Sequence, residues 1–291
     1  MIRIGIGTAN WNSPYGLTNP IGLGKTEISE ILFKMVENNI FDLDTAVNYF
    51  ESREFLKEFL RNKSFCLTTK IPHSWTLDAG KLENRIKTEL DSLGLNSFES
   101  VLLHEPVLSL KENSKDLNEA LGSLLSNNLT KRVGISVYTP EDVVYCTKQT
   151  DLISEIQFPI NPINQSFRYF FAKSNEYKNF VLVARSIFMQ GLLTMQMQDY
   201  PIFFRNSTES NNWLSFLQEK GHSGFELCLI FLANLKFVDK AIFGINSVTE
   251  LLEIIAFLQN ATKLKSYVNG EFDFLASVNT NIYDPRYWNN E

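Results

Sequence analysis

Cysteine is scarce in this chain. Cys66, Cys146 and Cys228 stand far apart and show no CxxC spacing. Such an odd, unpatterned set argues against a disulfide framework and fits reduced thiols in a cytoplasmic protein. Cys66, inside an apolar run, reads as a small buried residue. Histidine is equally sparse, and His73, His104 and His222 lack the spacing of metal ligands, so no metal is expected. There is no block of like charge: 27 basic and 33 acidic residues give a net charge of −6. That balance offers no electrostatic footprint for nucleic acid or an anionic membrane. Long hydrophobic runs are missing too. Phe225–Leu235 is among the longest, falls far short of a membrane span and is broken by Glu226 and Asn234. The opening MIRIG leads straight into a strand-like run, which leaves no room for a secretory leader and predicts a soluble, cytoplasmic protein. A third glycine is also absent: Gly5-Ile6-Gly7 is followed by Asn10 where G-x-G-x-x-G would require it.

What remains is ample for a globular core. Hydrophobic residues make up 44% of 291 positions, enough for one sizeable α/β domain over residues 1–291. Strand-like runs recur at Ile2–Gly7, Phe41–Asp44, Phe65–Lys70, Ser100–His104, Arg132–Ser136, Ile153–Phe158, Phe180–Arg185 and Lys240–Phe243. Most are short and apolar without clear alternation, as in strands buried on both faces of a parallel sheet. Helical patterns lie between them at Thr26–Asn38, Lys81–Leu93, Asn118–Ser126 and Pro140–Lys148. Thr139-Pro140-Glu141-Asp142 has a cap hydroxyl, a proline at the first helical position and acids in the first turn. Ser247 and Glu250 have capping-box spacing before the apolar run Leu251–Leu258. Eight strands alternating with helices predict a (β/α)8 TIM barrel, against the doubly wound sheet that the missing glycine disfavours. The long polar connection 191–223 is expected to be a loop or lid near the ligand.

In such a barrel the chemistry sits where strands end at their C-terminal side. The second predicted strand ends at Asp44 with Tyr49 just beyond; the third ends at Lys70 and the fourth at His104. Each residue alone has an ordinary structural reading. Asp44 could cap a helix, Tyr49 could pack, Lys70 could reach out to water, and His104 could be a hydrogen-bonded rim residue. Their convergence on neighbouring strand ends points to reduction of a carbonyl. Oxygen that gains negative charge needs a proton donor. A phenol with an ordinary pKa of about 10 needs a nearby ammonium to lower it. An aspartate would hold that ammonium, and an imidazole would orient the carbonyl. His73, Trp75, Trp11 and Tyr15 are candidates for an aromatic pocket wall, with core packing an equal alternative.

With these residues in view, the chain resembles the aldo-keto reductase family along its length. The likeness is carried by GIGTAN, ELDSLGLNSFESVLLHEP, LTKRVGISVY and ARSIFMQGLL, and by Asp44, Tyr49, Lys70 and His104 as the family's catalytic group. It implies an NADPH or NADH coenzyme bound without a Rossmann fold. It implies that Gly7 and Thr8 approach that coenzyme, that Ser136 and Gln157 hold its carboxamide, and that Ser186 and Gly191 wrap its pyrophosphate. Gly244, Asn246 and Ser247, at a predicted helix start, would meet the adenosine-side phosphate. The sequence departs from the family in three places. Val137 stands where asparagine usually follows the serine, Arg185 where many members stack a tyrosine on the nicotinamide, and Ile254 follows Glu253 where asparagine is usual. A guanidinium plane can also stack, and a salt bridge in the rim is the competing use of Arg185. No lysine or arginine in 244–247 grips a 2′-phosphate. The C-terminal IYDPRYW resembles the tail of aldo-keto reductases found with bacterial surface-sugar pathways, which brings a sugar-derived carbonyl among the expected small-molecule substrates. A second reading from sequence is a nucleotide-binding regulatory subunit on the same barrel; a third, a Schiff-base aldolase using Lys70, is disfavoured because Asp44 beside it favours a charged lysine. The sequence leaves the oligomeric state open.

Overall fold

The computed structural model describes residues 2–17, 21–60, 65–260 and 270–288. Met1, which opens the sequence, lies outside them. Eight strands close into a parallel barrel in chain order: β1 (Arg3–Gly7), β2 (Asp42–Asp44), β3 (Cys66–Ile71), β4 (Ser100–Leu103), β5 (Val133–Ser136), β6 (Ile153–Pro159), β7 (Val181–Arg185) and β8 (Lys240–Gly244). Each pairs with the next in parallel, and β8 returns to β1 through Gly5↔Ile242 and Gly7↔Gly244. The TIM barrel expected from the sequence is therefore the fold.

Successive side chains on a strand point to opposite faces. One set, including Ile6, Leu43, Leu67, Leu103, Ile135, Phe158, Ala184 and Phe243, is apolar and buried in the core. The other set is largely polar or glycine: Gly7, Asp42, Asp44, Lys70, Ser100, Ser136, Glu155, Gln157, Arg185 and Lys240. The strands are buried on both sides, as expected, but their second side is a polar barrel interior rather than a continuation of the apolar core. At the N-terminal end of the barrel Lys240 Nζ pairs with Asp42 Oδ1 at 2.8 Å, and Ser100 Oγ donates to Glu155 Oε2 at 2.6 Å. Burial raises the Glu155 carboxyl above the ordinary range, and the Lys240 ammonium opposes that rise.

The helix Lys25–Glu37 buries Ile28, Ile31, Leu32 and Met35, the face read from its periodicity. Pro140–Gln149 starts at the expected cap, Thr139 Oγ1 accepting from Asp142 N at 3.2 Å, and Thr139 N donating to Asp142 Oδ2 at 3.0 Å makes it a full capping box. The helix Pro106–Ser126 begins well before the predicted Asn118. Asn113, at φ −150° and ψ 50°, interrupts it and resets the apolar period. Segment 191–223 is not an open loop. It holds short turns, the helix Ile202–Arg205 and the helix Thr208–Lys220, started by Ser207 Oγ accepting from Ser210 N. Its aromatic anchors Tyr200, Phe204, Trp213 and Phe216 are buried, but scattered among polar residues they leave no clear period. Trp213 Nε1 donates to the Leu193 carbonyl at 3.2 Å, and a Cβ on Gly224 would stand 1.9 Å from the same oxygen. Only glycine lets the helix Gly224–Ala233 pack that closely.

The Lys240–Asp42 pair sets the first prediction. Lys240→Met leaves the half-buried Asp42 and the buried Glu155 without their cation, a change that for a buried pair typically costs about 3–5 kcal/mol. The double variant Lys240→Met/Asp42→Leu should recover part of that loss, as read from urea unfolding midpoints. Equal stability of the wild type and the single variant would show that the pair is inert.

Candidate active site

The C-terminal ends of the strands open into a cavity of about 280 Å³. Asp44, the last residue of β2, Lys70 in β3 and His104, just beyond β4, all line it, and Tyr49 joins them from the turn after β2. That turn is held by Tyr49 N donating to Ala46 O at 2.9 Å and Ser52 Oγ donating to Tyr49 O at 2.9 Å. Thr8 Oγ1 donates to Thr45 Oγ1 at 2.9 Å, and Asn10 Nδ2 donates to Ile245 O at 2.8 Å. Those two bonds tie the end of β1 to the ends of β2 and β8.

Asp44 is the hub. Its Oδ2 accepts a hydrogen bond from the Lys70 ammonium, and its Oδ1 accepts from Gln157 Nε2 at 2.7 Å. Lys70 also reaches Thr45 O at 3.4 Å. The lysine charge is thereby spent on the aspartate, and this corrects one expectation. The Tyr49 phenol lies above its ordinary range, raised by burial and then by the Asp44 carboxylate, with Arg185 opposing. The phenol keeps its proton, and its hydroxyl has no hydrogen-bond partner among the described residues. Burial and the Lys70 ammonium hold His104 down to about 4. The imidazole is neutral at pH 7 and its Nδ1 has no partner among the described residues.

Of the expected coenzyme residues, Gly7, Thr8, Ser136, Gln157, Arg185, Ser186, Gly191, Gly244 and Asn246 line this same cavity. Ser247 does not. It caps the helix Val248–Asn260 by accepting from Glu250 N at 3.1 Å, while Glu250 Oε2 accepts from Asn246 N at 2.8 Å. Gln157 Oε1 is buried without a partner among the described residues. With its amide already donating to Asp44, that acceptor suits the carboxamide N–H of a nicotinamide, so the residues present fit the coenzyme. After β7 the chain takes left-handed backbone at Ser186 (φ 57°), Met189 (φ 51°), Gln190 (φ 55°) and Gly191 (φ 90°). Side-chain-bearing residues adopt that conformation at a cost, which is tolerated chiefly at functional loops.

The expected pocket wall is realised only in part. Tyr15 lines the cavity, but Trp11, His73 and Trp75 do not. Trp11 is 1% exposed and packs in the core. His73 Nε2 pairs with Glu112 at 3.1 Å, and Trp75 lies beneath the Arg85 guanidinium. All three belong to elements that turn away from the barrel mouth, which sequence proximity to Lys70 or β1 does not reveal. Sequence reasoning missed Tyr138, Ile242 and Glu250, all cavity residues. Glu250 carried a signal, since its capping spacing places its carboxylate at a helix start, but its reach into the cavity needs the fold. Burial raises that carboxyl.

No metal-binding group of three or more His, Cys, Asp or Glu side chains occurs among the described residues, and none of their helices is long and apolar enough to cross a membrane. A comparison with curated protein sequences finds no match. Among solved structures, an aldo-keto reductase of Bacillus halodurans in its holo form is 18% identical, over 98% of this chain and 95% of that one, with a TM-score of 0.73. An aldo-keto reductase from Klebsiella pneumoniae in complex with NADPH is 17% identical, over 97% and 94%, with a TM-score of 0.65. The model of the aldo/keto reductase family matches residues 3–276. A matched span that includes all eight strands and every lining residue of the cavity places this chain in the aldo/keto reductase family of NAD(P)-dependent oxidoreductases.

Proposed function

We propose that the chain reduces an aldehyde or ketone to the alcohol, with Tyr49 as the proton donor. The observation that carries this reading is the grouping of Asp44, Tyr49, Lys70 and His104 in one cavity, with Gln157 donating its amide to the same aspartate while its oxygen has no partner among the described residues. A reduced nicotinamide coenzyme, when bound, supplies the hydride that the carbonyl carbon accepts. As that carbon is reduced, negative charge grows on oxygen and must meet donors already in place. Tyr49, kept protonated by burial and by Asp44, gives up its phenolic proton to that oxygen. His104, neutral and without a second proton to offer, donates a hydrogen bond and sets the angle of the carbonyl. Lys70 holds Asp44, so the aspartate charge opposes the departing proton less than a bare carboxylate would. Arg185 favours the phenolate left behind, which then recovers a proton from solvent. Ser136 and Gln157 would hold the carboxamide of the coenzyme, and residues 186–191 its pyrophosphate.

Mixing the protein with NADH or NADPH and a panel of reactive aldehydes, and following coenzyme absorbance, tests the activity directly. Coenzyme binding without any turnover would mark a regulatory binding subunit instead. Tyr49→Phe should retain coenzyme binding and lose roughly 10²–10⁴-fold in reduction. Near-normal turnover would remove Tyr49 from the mechanism. Lys70→Met, which leaves Asp44 uncompensated beside the phenol, should shift the oxidation-direction profile to higher pH. Asp44→Asn should cause a milder loss and a shift the other way. The two losses should fall short of additive, because both act on one phenol.

Coenzyme choice follows from the helix start. With Glu250 there and no basic residue in 244–247, a 2′-phosphate gains no cationic partner, and NADH should be used at least as well as NADPH. Glu250→Gln and Asn246→Arg should each raise the NADPH to NADH ratio of kcat/KM. A wild-type enzyme that strongly prefers NADPH would place the phosphate clamp elsewhere.

A pH prediction rests on His104. Its folded value of about 4 lies below the ordinary 6.5, so the unfolded chain takes up a proton that the folded chain resists. The stability this contributes is complete above about pH 6.5 and is lost as pH falls towards 4. In His104→Gln the loss of stability between pH 7 and pH 5 should be smaller, as read from urea midpoints at the two pH values.

A further inference from the structure

The cations around the cavity are not equal. Lys70 is bound to Asp44. Arg286, carried to the barrel by the C-terminal tail, is neutralised by Asp284 at 2.6 Å. Arg185, at the end of β7, lines the cavity and makes no ion pair with any described residue. One of its terminal nitrogens donates to Val137 O at 3.0 Å and the other to Ser186 Oγ at 3.4 Å, both neutral acceptors. Its guanidinium lies 4.4 Å from the centre of the Tyr138 ring, and Arg286 lies 3.7 Å from the centre of the same ring. Tyr138 is thus contacted by two guanidiniums, one compensated and one not. A partly buried cation without a counterion is costly, and structures retain it where a ligand supplies the charge.

Resting on the carbonyl-reductase reading above, we propose that the substrate carries an oxyanion, carboxylate or phosphate, and that Arg185 is the residue that recognises it. The position suits this role. Arg185 shares the cavity with Tyr49 and His104, so one small molecule can place its carbonyl oxygen at the phenol and imidazole and its anion at the guanidinium. The other cavity cation, Lys70, is already engaged, so it does not compete for the anion. The planar guanidinium is fixed before binding by a carbonyl, a hydroxyl and an aromatic face, so little order is lost when a charge-assisted hydrogen bond forms. The tail contributes by pressing Arg286 on Tyr138, the ring against which Arg185 rests. The coenzyme is a second source of the same chemistry, because its phosphates are oxyanions too, and the experiment separates the two.

Matched substrates give the first arm: 4-carboxybenzaldehyde against its methyl ester, and glyceraldehyde 3-phosphate against glyceraldehyde, at saturating coenzyme. The wild type should prefer at least one anion over its neutral partner by about 10- to 100-fold in kcat/KM, mostly through KM. Arg185→Gln should bring that ratio close to one, whatever it loses on the neutral member, and Arg185→Lys should restore part of it. An absent preference, or a preference unchanged in Arg185→Gln, overturns the proposal. The second arm measures NADH and NADPH affinity by fluorescence. If Arg185→Gln weakens coenzyme binding tenfold and leaves the substrate ratio intact, the guanidinium serves the coenzyme and the proposal falls. The third arm needs no turnover. Benzoate should bind the coenzyme-loaded wild type more tightly than benzamide in calorimetry, and this difference should vanish in Arg185→Gln and partly return in Arg185→Lys. With that difference seen but no aldehyde reduced, the carbonyl-reductase reading fails while Arg185 keeps its anion. With aldehydes reduced and no difference seen, the anion proposal alone fails.

Discussion

A carboxylate and an ammonium stand side by side in the mouth of the barrel, both almost entirely withdrawn from water. Neither would be tolerated there alone, because an isolated charge in the interior loses its hydration without compensation. The Asp44–Lys70 pair answers this by mutual neutralisation, and Gln157 completes the shell of the aspartate from the far side of the barrel. The other site residues take their state from this arrangement. Tyr49 keeps its proton because it is buried and because the charge it feels most is a carboxylate, and His104 stays neutral because it is buried near an ammonium. Three strands, β2, β3 and β6, are fixed in relative height by this one network. The protonated phenol and the neutral imidazole follow from their own burial together with where the pair sits.

A second polar group repeats the solution at the opposite end of the barrel, where Lys240, Asp42, Ser100 and Glu155 come from the even-numbered strands β8, β2, β4 and β6. Inward-facing residues contributed by alternate strands are the ordinary way such barrels fill their centre, usually with branched aliphatic side chains. Here the filling is charged, and its stability depends on pairing rather than on apolar burial.

Much of this was legible in the sequence, and the reasons are physical. Strand ends were readable because β-branched and aromatic runs stop abruptly, so the residues that end them, Asp44, Lys70 and His104, fell at the barrel mouth without further knowledge. Helix starts with a cap and an acid, such as Thr139 with Asp142, were equally clear. What failed depended on contacts between distant segments. The direction of the Tyr49 shift turns on how deeply the phenol is buried and on the Asp44 carboxylate near it, which only the packed interior decides. Trp11, His73 and Trp75 follow strand ends just as Tyr15 does, yet the chain turns them away before they reach the cavity. Segment 191–223 hid its helices because its anchors, Trp213 and Phe216 among them, dock on a surface that the local sequence does not contain. Tyr138 owes its place in the cavity, and its contact with Arg286 of the distant tail, to the fold.

Strand order in this barrel follows chain order, and the labour of the site divides along it. The groups proposed to move or hold protons, Asp44, Tyr49, Lys70 and His104, come from β2 to β4 and the turn after β2. Most of the groups that would decide what is held there come later: Ser136, Tyr138, Gln157, Arg185, the left-handed stretch after β7 and the self-capped helix after β8. On the proposed reading one half of the chain is a reaction module and the other largely a recognition module, joined by the sheet and by the bonds of Gln157 and Lys240 to β2, of Glu155 to Ser100 and of Asn10 to Ile245. On that reading, change in the recognition half at positions other than Gln157 and Arg185, which bear on Asp44 and Tyr49, redirects the enzyme to another partner molecule while the proton chemistry stays as it is. The converse does not hold, since any alteration of the first half is felt by every molecule that enters.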